Sequence, residues 1–366
     1  SQRNVEISYR EHKPENIKEA TTKGLYIQLY VNGRYSSQTT SDLRREALKD
    51  FIKNAITATK LLAEDPFRTL PDPKYYEGRS KMDLELVDPD YVNYTPEDRH
   101  NLVKSVENAA LEYGGDKVIS VTASVQDGSV GAFTMTSNGF EGYEESTFYV
   151  AVAEMTVQDE GDRRPNGYEY GVVVHRKDMP SPETIGKGCA ERTKSLLGSL
   201  KVKTETLPII IENRNVGRIL GGFLQAMYGR SIQQKQSFLA DMKGKKVASE
   251  IFTLIDDPFV KAGLGSRLFD GDGLAAKKMV MIDKGVLKEF YVDWYYGRKL
   301  GCEPTMGNPS NLIIPPGKRS VEEIMKDLRR GIFITGFIGG NSNPVSYTHL
   351  RAHETVLDLV CRLLLE

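Results

Sequence analysis

The chain has 366 residues, enough for two domains with separate cores. Hydrophobic residues make up 39% and charged residues 27%, and 49 basic against 50 acidic side chains leave a net charge of −1. That balance is ordinary for a globular protein, and without a basic block it argues against a nucleic-acid partner. No apolar run reaches the roughly 20 residues of a membrane-spanning helix. No signal-peptide pattern is read at the start. Cys189, Cys302 and Cys361 are too scattered for a zinc ribbon or a disulfide framework, which fits a reducing cytoplasm.

Strand-like segments at about 4–10, 15–21 and 24–31 open the chain. Asn32-Gly33 then gives a hairpin turn, because both turn residues need positive φ, and a strand to about Gln38 follows. Thr40 or Ser41 is placed to cap a helix whose apolar stripe runs through Leu43, Ala47, Leu48, Phe51, Ala55, Ile56 and Leu62. Pro66, Pro71, Pro73 and Pro89 break the following stretch into a loop. Thr95 as N-cap and Pro96 at the first helical position start a helix that runs to Tyr113 and stops at Gly114-Gly115. From Val118 to His175 the pattern is strand-like, with turns expected at Asp127-Gly128 and Asn138-Gly139. Ser181-Pro182-Glu183 begins a helix through Leu197. These pieces predict an α+β fold, with helices packed on a mostly antiparallel sheet.

The second half reads as a mixed, β-rich domain. A buried strand ends in Ile209-Ile210-Ile211. Val216, Ile219, Leu220, Phe223, Leu224 and Met227 then recur at the spacing of one helical face. Lys235 to Ala248 is polar and loop-like, Ser249 to Ile255 a strand, and Lys277–Ile282 with Val286–Val292 a hairpin around Asp283-Lys284-Gly285. A short helix from Trp294 to Leu300 ends at Gly301.

Gly336-Phe337-Ile338-Gly339-Gly340-Asn341-Ser342-Asn343-Pro344 resembles the GGNSNPVTGDFS segment of the PmbA/TldD family, once called modulators of DNA gyrase. The resemblance extends from Asn4 to about Pro344 and is best in the blocks 248–258, 266–273, 284–301 and 336–344. In that family's catalytic subunit the helix equivalent to 216–227 carries HExxxH, the histidine–glutamate set of a zinc peptidase. Here the run is Gly221-Gly222-Phe223-Leu224-Gln225-Ala226, so the chain is similar to the partner type, PmbA/TldE, which lacks the motif. The resemblance implies a heterodimer with a zinc-bearing TldD-type paralogue, or a homodimer, acting on peptides or unfolded proteins in the cytoplasm. The glycines of Gly339-Gly340-Asn341 are read first as letting a strand turn sharply or approach another backbone; the resemblance also implies that Gly339, Gly340 and Asn341 contact substrate, where an extended peptide would add as a β-strand. The alternatives are a non-enzymatic, gyrase-modulator-like binding protein and a stand-alone hydrolase.

The resemblance also bears on the ends. Relatives open with a helix before the first strand, so a preceding segment is expected. From Val345 the run VSYTHLRAHET resembles a translated sequencing adapter, which interrupts the family's C-terminal sheet. The expected organisation is an α+β domain over 1–200, an incomplete β-rich domain over 201–344 and an artefactual tail over 345–366. The alternative for the tail is an amphipathic helix with Leu357, Val360, Leu363 and Leu364 on one face. His349, His353 and Glu354 imitate a metal motif, but no histidine follows at the required spacing.

Other candidate chemistry resolves to structural readings. Outside the tail only His12, His100 and His175 remain as histidine ligands, none at helical ligand spacing, so neither a catalytic residue nor a metal ligand is assigned. Gly217, Gly221 and Gly222 are read as positions of close helix packing. Asp270-Gly271-Asp272-Gly273 lacks the later ligands of a calcium loop and reads as a turn. Cys189 is read as a buried structural residue rather than a nucleophile served by His175.

Overall fold

Val5, Ile7 and Tyr9 alternate along the first strand, and in the computed structural model all three are buried. The structure describes residues 1–201, 203–328 and 330–337, together with the backbone of 359–364. The first compact unit comprises Ser1–Ser199 and Pro258–Ala276; the second comprises Leu200–Asp257 and Lys277 onward.

The first unit contains, in chain order, β1 (Gln2–Arg10), β2 (Lys13–Thr22), β3 (Leu25–Val31), β4 (Arg34–Thr40), α1 (Arg45–Thr59), α2 (Pro96–Gly114), β5 (Val118–Met135), β6 (Glu141–Val157), β7 (Asn166–Val173) and α3 (Pro182–Lys194). Its main sheet is antiparallel throughout, in the order β2-β1-β5-β6-β7. The inward residues of β1, β5 and β6 meet Val103, Val106 and Ala110 of α2 and Ile185, Cys189 and Ala190 of α3 in one core. β3 and β4 form a separate hairpin against which α1 packs.

Helix α2 begins where the sequence places it. Thr95 Oγ1 accepts from the Asp98 backbone N–H, and the Asp98 carboxylate accepts from the Thr95 N–H, closing a reciprocal cap ahead of Pro96. One residue later Arg99 turns into the core. Its Nε and Nη2 donate to the two oxygens of Asp127, each at 2.6 Å, and its Nη1 donates to the Tyr94 carbonyl at 2.7 Å. Both charges are almost completely buried, and the guanidinium also lies 4.3 Å from the Tyr94 ring centroid.

This pair overturns the turn expected at Asp127-Gly128, since β5 runs unbroken through both residues. Gly128 lies opposite Asn4 on one side and Phe148 on the other. A Cβ there would sit 2.4 Å from the Arg3 carbonyl oxygen and 2.7 Å from the Phe148 ring. The glycine therefore permits close approach within a sheet rather than a reversal. Helix α1 also starts later than expected. Thr40 Oγ1 accepts from the Asp42 N–H and Asp42 Oδ1 from the Arg44 N–H, so two successive side-chain turns hold this stretch out of the helix. The helix stops at Thr59, leaving Leu43 and Leu62 exposed rather than on a buried stripe.

The second unit contains β8 (Ile209–Ile211), α4 (Val216–Ala226), α5 (Gly229–Gln233), β9 (Leu254–Asp256), β10 (Met279–Asp283), β11 (Val286–Leu287), α6 (Trp294–Leu300), β12 (Leu312–Ile313), α7 (Val321–Leu328), β13 (Gly331–Phe337) and β14 (Leu359–Leu364). One sheet has the order β11-β10-β9-β12. The other, β14-β13-β8, joins β8 to β13 in parallel. The whole is a mixed α+β architecture. Asp256 is fully buried at the end of β9, where its carboxylate accepts from the Tyr291 hydroxyl at 2.7 Å and from both the backbone N–H and the hydroxyl of Ser310.

Three local expectations give way in this unit. The strand expected over 249–255 is confined to Leu254–Asp256, because the Phe252 N–H turns back to the Ser249 carbonyl and Ile251 is 95% exposed. Strand β8 is short, and Ile209 is 54% exposed rather than buried. The backbone over Leu359–Leu364 is a strand, not an amphipathic helix.

Breaking a buried, hydrogen-bonded ion pair leaves one charge uncompensated, which costs about 3–5 kcal/mol, against about 1 kcal/mol for a lost N-cap. Asp127→Ala is expected to lower the urea midpoint of the first unit much more than Thr95→Ala. Equal shifts for the two variants would show that the Arg99–Asp127 pair is not what joins helix to sheet.

Candidate functional site

Helix α4 is fixed at its start by side-chain and main-chain bonds. Asn215 Nδ2 donates to Glu212 Oε2 at 2.9 Å and to the Thr335 carbonyl at 2.8 Å, while the Glu212 N–H donates to the Ile334 carbonyl at 3.0 Å. These bonds tie the helix to β13. Gly222, Phe223 and Ala226 form its buried face. Between Val216 and Met227 there is no histidine, cysteine, aspartate or glutamate. The expectation of close packing fails at Gly217 and Gly221: among the described residues, no heavy atom outside the helix lies within 4 Å of the position a Cβ would take. The buried stripe passes through Gly222 instead, and the structure offers no packing reason for the other two glycines.

The three histidines outside the tail are engaged separately. His100 Nδ1 lies 3.0 Å from the Tyr9 hydroxyl, and His12 Nδ1 lies 3.7 Å from Glu107 Oε2. His175 Nε2 lies 2.7 Å from the Glu85 carbonyl, and since a carbonyl only accepts, Nε2 carries the proton. Among the described residues no three His, Cys, Asp or Glu side chains are grouped so that they could hold a metal ion. The donor set that a peptidase zinc needs is therefore not assembled by these residues.

A cleft of about 550 Å³ opens within the first unit. One wall is the segment 82–87, pinned through three successive carbonyls. Leu84 O accepts from the Ala262 N–H at 2.8 Å and Leu86 O from the Thr147 N–H at 2.9 Å, while His175 holds the intervening Glu85. Glu85 takes the left-handed region at φ 54° and pairs with Lys261 at 2.5 Å. Tyr143, Glu144, Arg267 and Phe269 line the remaining walls. Although the Glu144 side chain keeps solvent access, desolvation raises its carboxyl pKa, opposed by the charge of Arg267. Such a lining can bind through apolar contact and charge. It does not present a nucleophile with an adjacent base.

The remaining sequence candidates are placed as follows. Cys189 is fully buried, its Sγ 3.6 Å from the Gly167 carbonyl, and burial pushes the thiol up to about 12, the wrong direction for a nucleophile. Asp270–Gly273 is a turn: Gly273 N–H donates to the Asp270 carbonyl, and Asp270 Oδ1 accepts from the N–H groups of Asp272 and Leu274, each bond 3.0 Å. Gly339, Gly340 and Asn341, the positions read for substrate contact, lie outside the described residues. The cleft was missed because 82–89 read only as a proline-broken loop. The usable signal was the alternation of Met82, Leu84 and Leu86 with Asp83 and Glu85.

Comparison with known proteins agrees with the resemblance. Three domains described as PmbA/TldA metallopeptidase domain 1, central domain and C-terminal domain match residues 1–59, 89–197 and 204–353. The crystal structure of a candidate modulator of DNA gyrase from Bacteroides thetaiotaomicron superposes with a TM-score of 0.91 at 36% identity, over 94% of this chain and 78% of that one. TldE from Thermococcus kodakarensis shares the fold, with a TM-score of 0.79 at 22% identity over 94% and 79% of the two chains. Metalloprotease PmbA of Escherichia coli O157:H7 is 26% identical over 352 residues, which is 95% of this chain and 77% of the relative. The chain belongs to the PmbA/TldD family of metallopeptidases.

Two measurements test the site geometry. A thiol reagent applied to the native protein is expected to modify exposed Cys302 and leave Cys189 untouched until unfolding; early modification of Cys189 would contradict its burial. For Glu144, a folded-state pKa above the unfolded value means a stability contribution fully present below the ordinary glutamate value and lost as pH rises through the raised one. Glu144→Gln should therefore raise the denaturation midpoint near neutral pH and leave it unchanged in acid. A gain of the same size at both pH values would refute the assignment.

Proposed function

We propose that this chain is the non-catalytic, PmbA/TldE-type subunit of a two-subunit metallopeptidase that acts on peptides or unfolded proteins. The observation that carries the reading is α4. Where the resemblance puts HExxxH, the helix presents Gly221-Gly222-Phe223-Leu224-Gln225-Ala226, and no described cluster elsewhere supplies a replacement donor set. Family membership supports the peptidase context. On this reading a TldD-type paralogue brings the zinc and its chemistry, in a heterodimer. This chain contributes the partner interface and part of the wall along which the substrate lies, with Gly339, Gly340 and Asn341 as the positions that contact it. A homodimer is the simpler assembly that the same surface could form.

A second reading, a regulatory protein without a peptidase role, draws on the gyrase-modulator description of the Bacteroides relative. A net charge of −1 offers no electrostatic footing for binding DNA directly.

The deciding assay is hydrolysis of an unfolded protein such as casein by this chain alone, by its HExxxH-bearing paralogue alone and by the two mixed, each with and without chelator. The expected result is chelator-sensitive hydrolysis that requires the mixture. Hydrolysis by this chain alone would overturn the non-catalytic assignment, and none from any combination would favour the regulatory reading.

A further inference from the structure

The dipeptide Asn-Gly occurs three times, at Asn32-Gly33, Asn138-Gly139 and Asn166-Gly167. Locally the three are equivalent. A glycine without a side chain leaves its own amide nitrogen open to approach by the preceding asparagine's Cγ. The fold treats them differently.

Asn138 is locked. Its Nδ2 donates to the Pro71 carbonyl at 2.6 Å, and its Oδ1 accepts from Thr136 Oγ1 at 2.7 Å and from the Tyr76 hydroxyl at 3.1 Å. Asn166 stands in β7 opposite Thr156, and its Nδ2 donates to Glu154 Oε1 at 2.9 Å and to Thr156 Oγ1 at 3.2 Å. Turning either amide toward the following nitrogen breaks these bonds. Asn32 has no such restraint. It is exposed at the tip of the β3–β4 hairpin at φ 50°, and its side-chain amide makes no hydrogen bond among the described residues. Only its backbone carbonyl is used, accepting from Arg34 Nη1 at 3.0 Å.

We propose that Asn32 is a site of spontaneous modification, converted through a cyclic imide to aspartate and isoaspartate, while Asn138 and Asn166 are protected by the fold. In the first step the Gly33 amide nitrogen loses its proton and bonds to Asn32 Cγ. The Cγ–Nδ2 bond breaks and Nδ2 leaves as ammonia, carrying that proton. Water then opens the imide. Attack at Cγ restores the normal backbone as aspartate, and attack at the main-chain carbonyl leaves the chain running through Cγ as isoaspartate. No atom is oxidised or reduced, and water is the sole co-reactant.

The product changes the surroundings of the turn. A new carboxylate appears beside Arg34, which donates to the Leu62 carbonyl at 2.9 Å and pairs with Glu64 at 2.8 Å. Isoaspartate also adds a methylene to a two-residue turn whose register is Val31 opposite Arg34 and whose Gly33 carbonyl accepts from the Asp65 N–H at 2.8 Å. The modification thus acts on the contact between the hairpin tip and the segment that follows α1.

The test is to age the native protein in mildly alkaline buffer made with heavy-oxygen water and to follow label uptake and isoaspartate at each site by peptide mapping. With two or three hydrogen bonds to break at each protected site, conversion at Asn32 is expected to be at least about tenfold faster than at Asn138 or Asn166. In denaturant the three sites should convert at similar rates, which separates protection by the fold from any difference in local sequence. Tyr76→Phe, which removes one bond to Asn138, should speed conversion there and leave Asn32 unchanged. Equal native rates at the three sites, or native conversion led by Asn138 or Asn166, would overturn the proposal. So would a native Asn32 that stays intact while the denatured chain converts at all three.

Discussion

The first unit depends on one buried ion pair. A guanidinium and a carboxylate removed from water are costly unless they are paired and hydrogen-bonded, and Arg99 is held by both oxygens of Asp127, the Tyr94 carbonyl and the Tyr94 ring. Because Asp127 lies in the middle of β5 and Arg99 in the first turn of α2, the pair fixes both the height and the rotation of the helix on the sheet. Apolar packing between Val103, Val106 and the inward face of β5 and β6 tolerates small slides; a bidentate bond does not. Tyr91, Tyr94 and Tyr149 cluster beside the pair and shield it from solvent.

The second unit solves a similar problem with a carboxylate that has no cationic partner among the described residues. Asp256 is satisfied by the Tyr291 hydroxyl and by Ser310, so the end of β9 is tied to segments more than thirty residues away in sequence. Helix α4 is positioned by a third device, the Asn215 amide bridging Glu212 and Thr335. In each case a polar side chain spans two elements and sets a distance. What α4 then displays is a run of mostly small and apolar residues, with Arg218 and Gln225 as its polar members.

The fold class and several element starts were legible because their causes are local. Thr95-Pro96 with Asp98 specifies a helix start without help from the rest of the chain, and Gly301 at φ 66° ends α6 for an equally local reason. Errors arose where a distant partner reassigns a local signal. Asp127-Gly128 carries turn chemistry, yet Arg99 claims the carboxylate and Phe148 fills the space a side chain would need. Helix α7 was passed over even though Ser320 and Glu323 cap it reciprocally, a signal as good as the one at Thr95. Of the cleft, only the alternating wall over 82–86 was legible; its assembly was not, because the walls come from four separated stretches, around residues 82–89, 143–145, 175 and 267–269. The opposite held for α4, where the missing ligand types can be read directly from its residues.

The composition of the first unit carries a consequence for synthesis. It is completed by Pro258–Ala276, a segment made only after strands β8 and β9 of the second unit. Phe269 from that late segment sits edge-on to Phe140 at a centroid distance of 5.0 Å, and the Ala275 N–H bonds to the Tyr75 carbonyl. A nascent chain leaving the ribosome cannot close the first unit as one finished body before starting the second. The earlier residues must wait, with the side of Phe140 that Phe269 covers left open, while about sixty intervening residues emerge at about 5–20 per second. Assembly of the two units is thus interleaved in time, and the interval in which that aromatic surface stands open is set by the rate of translation.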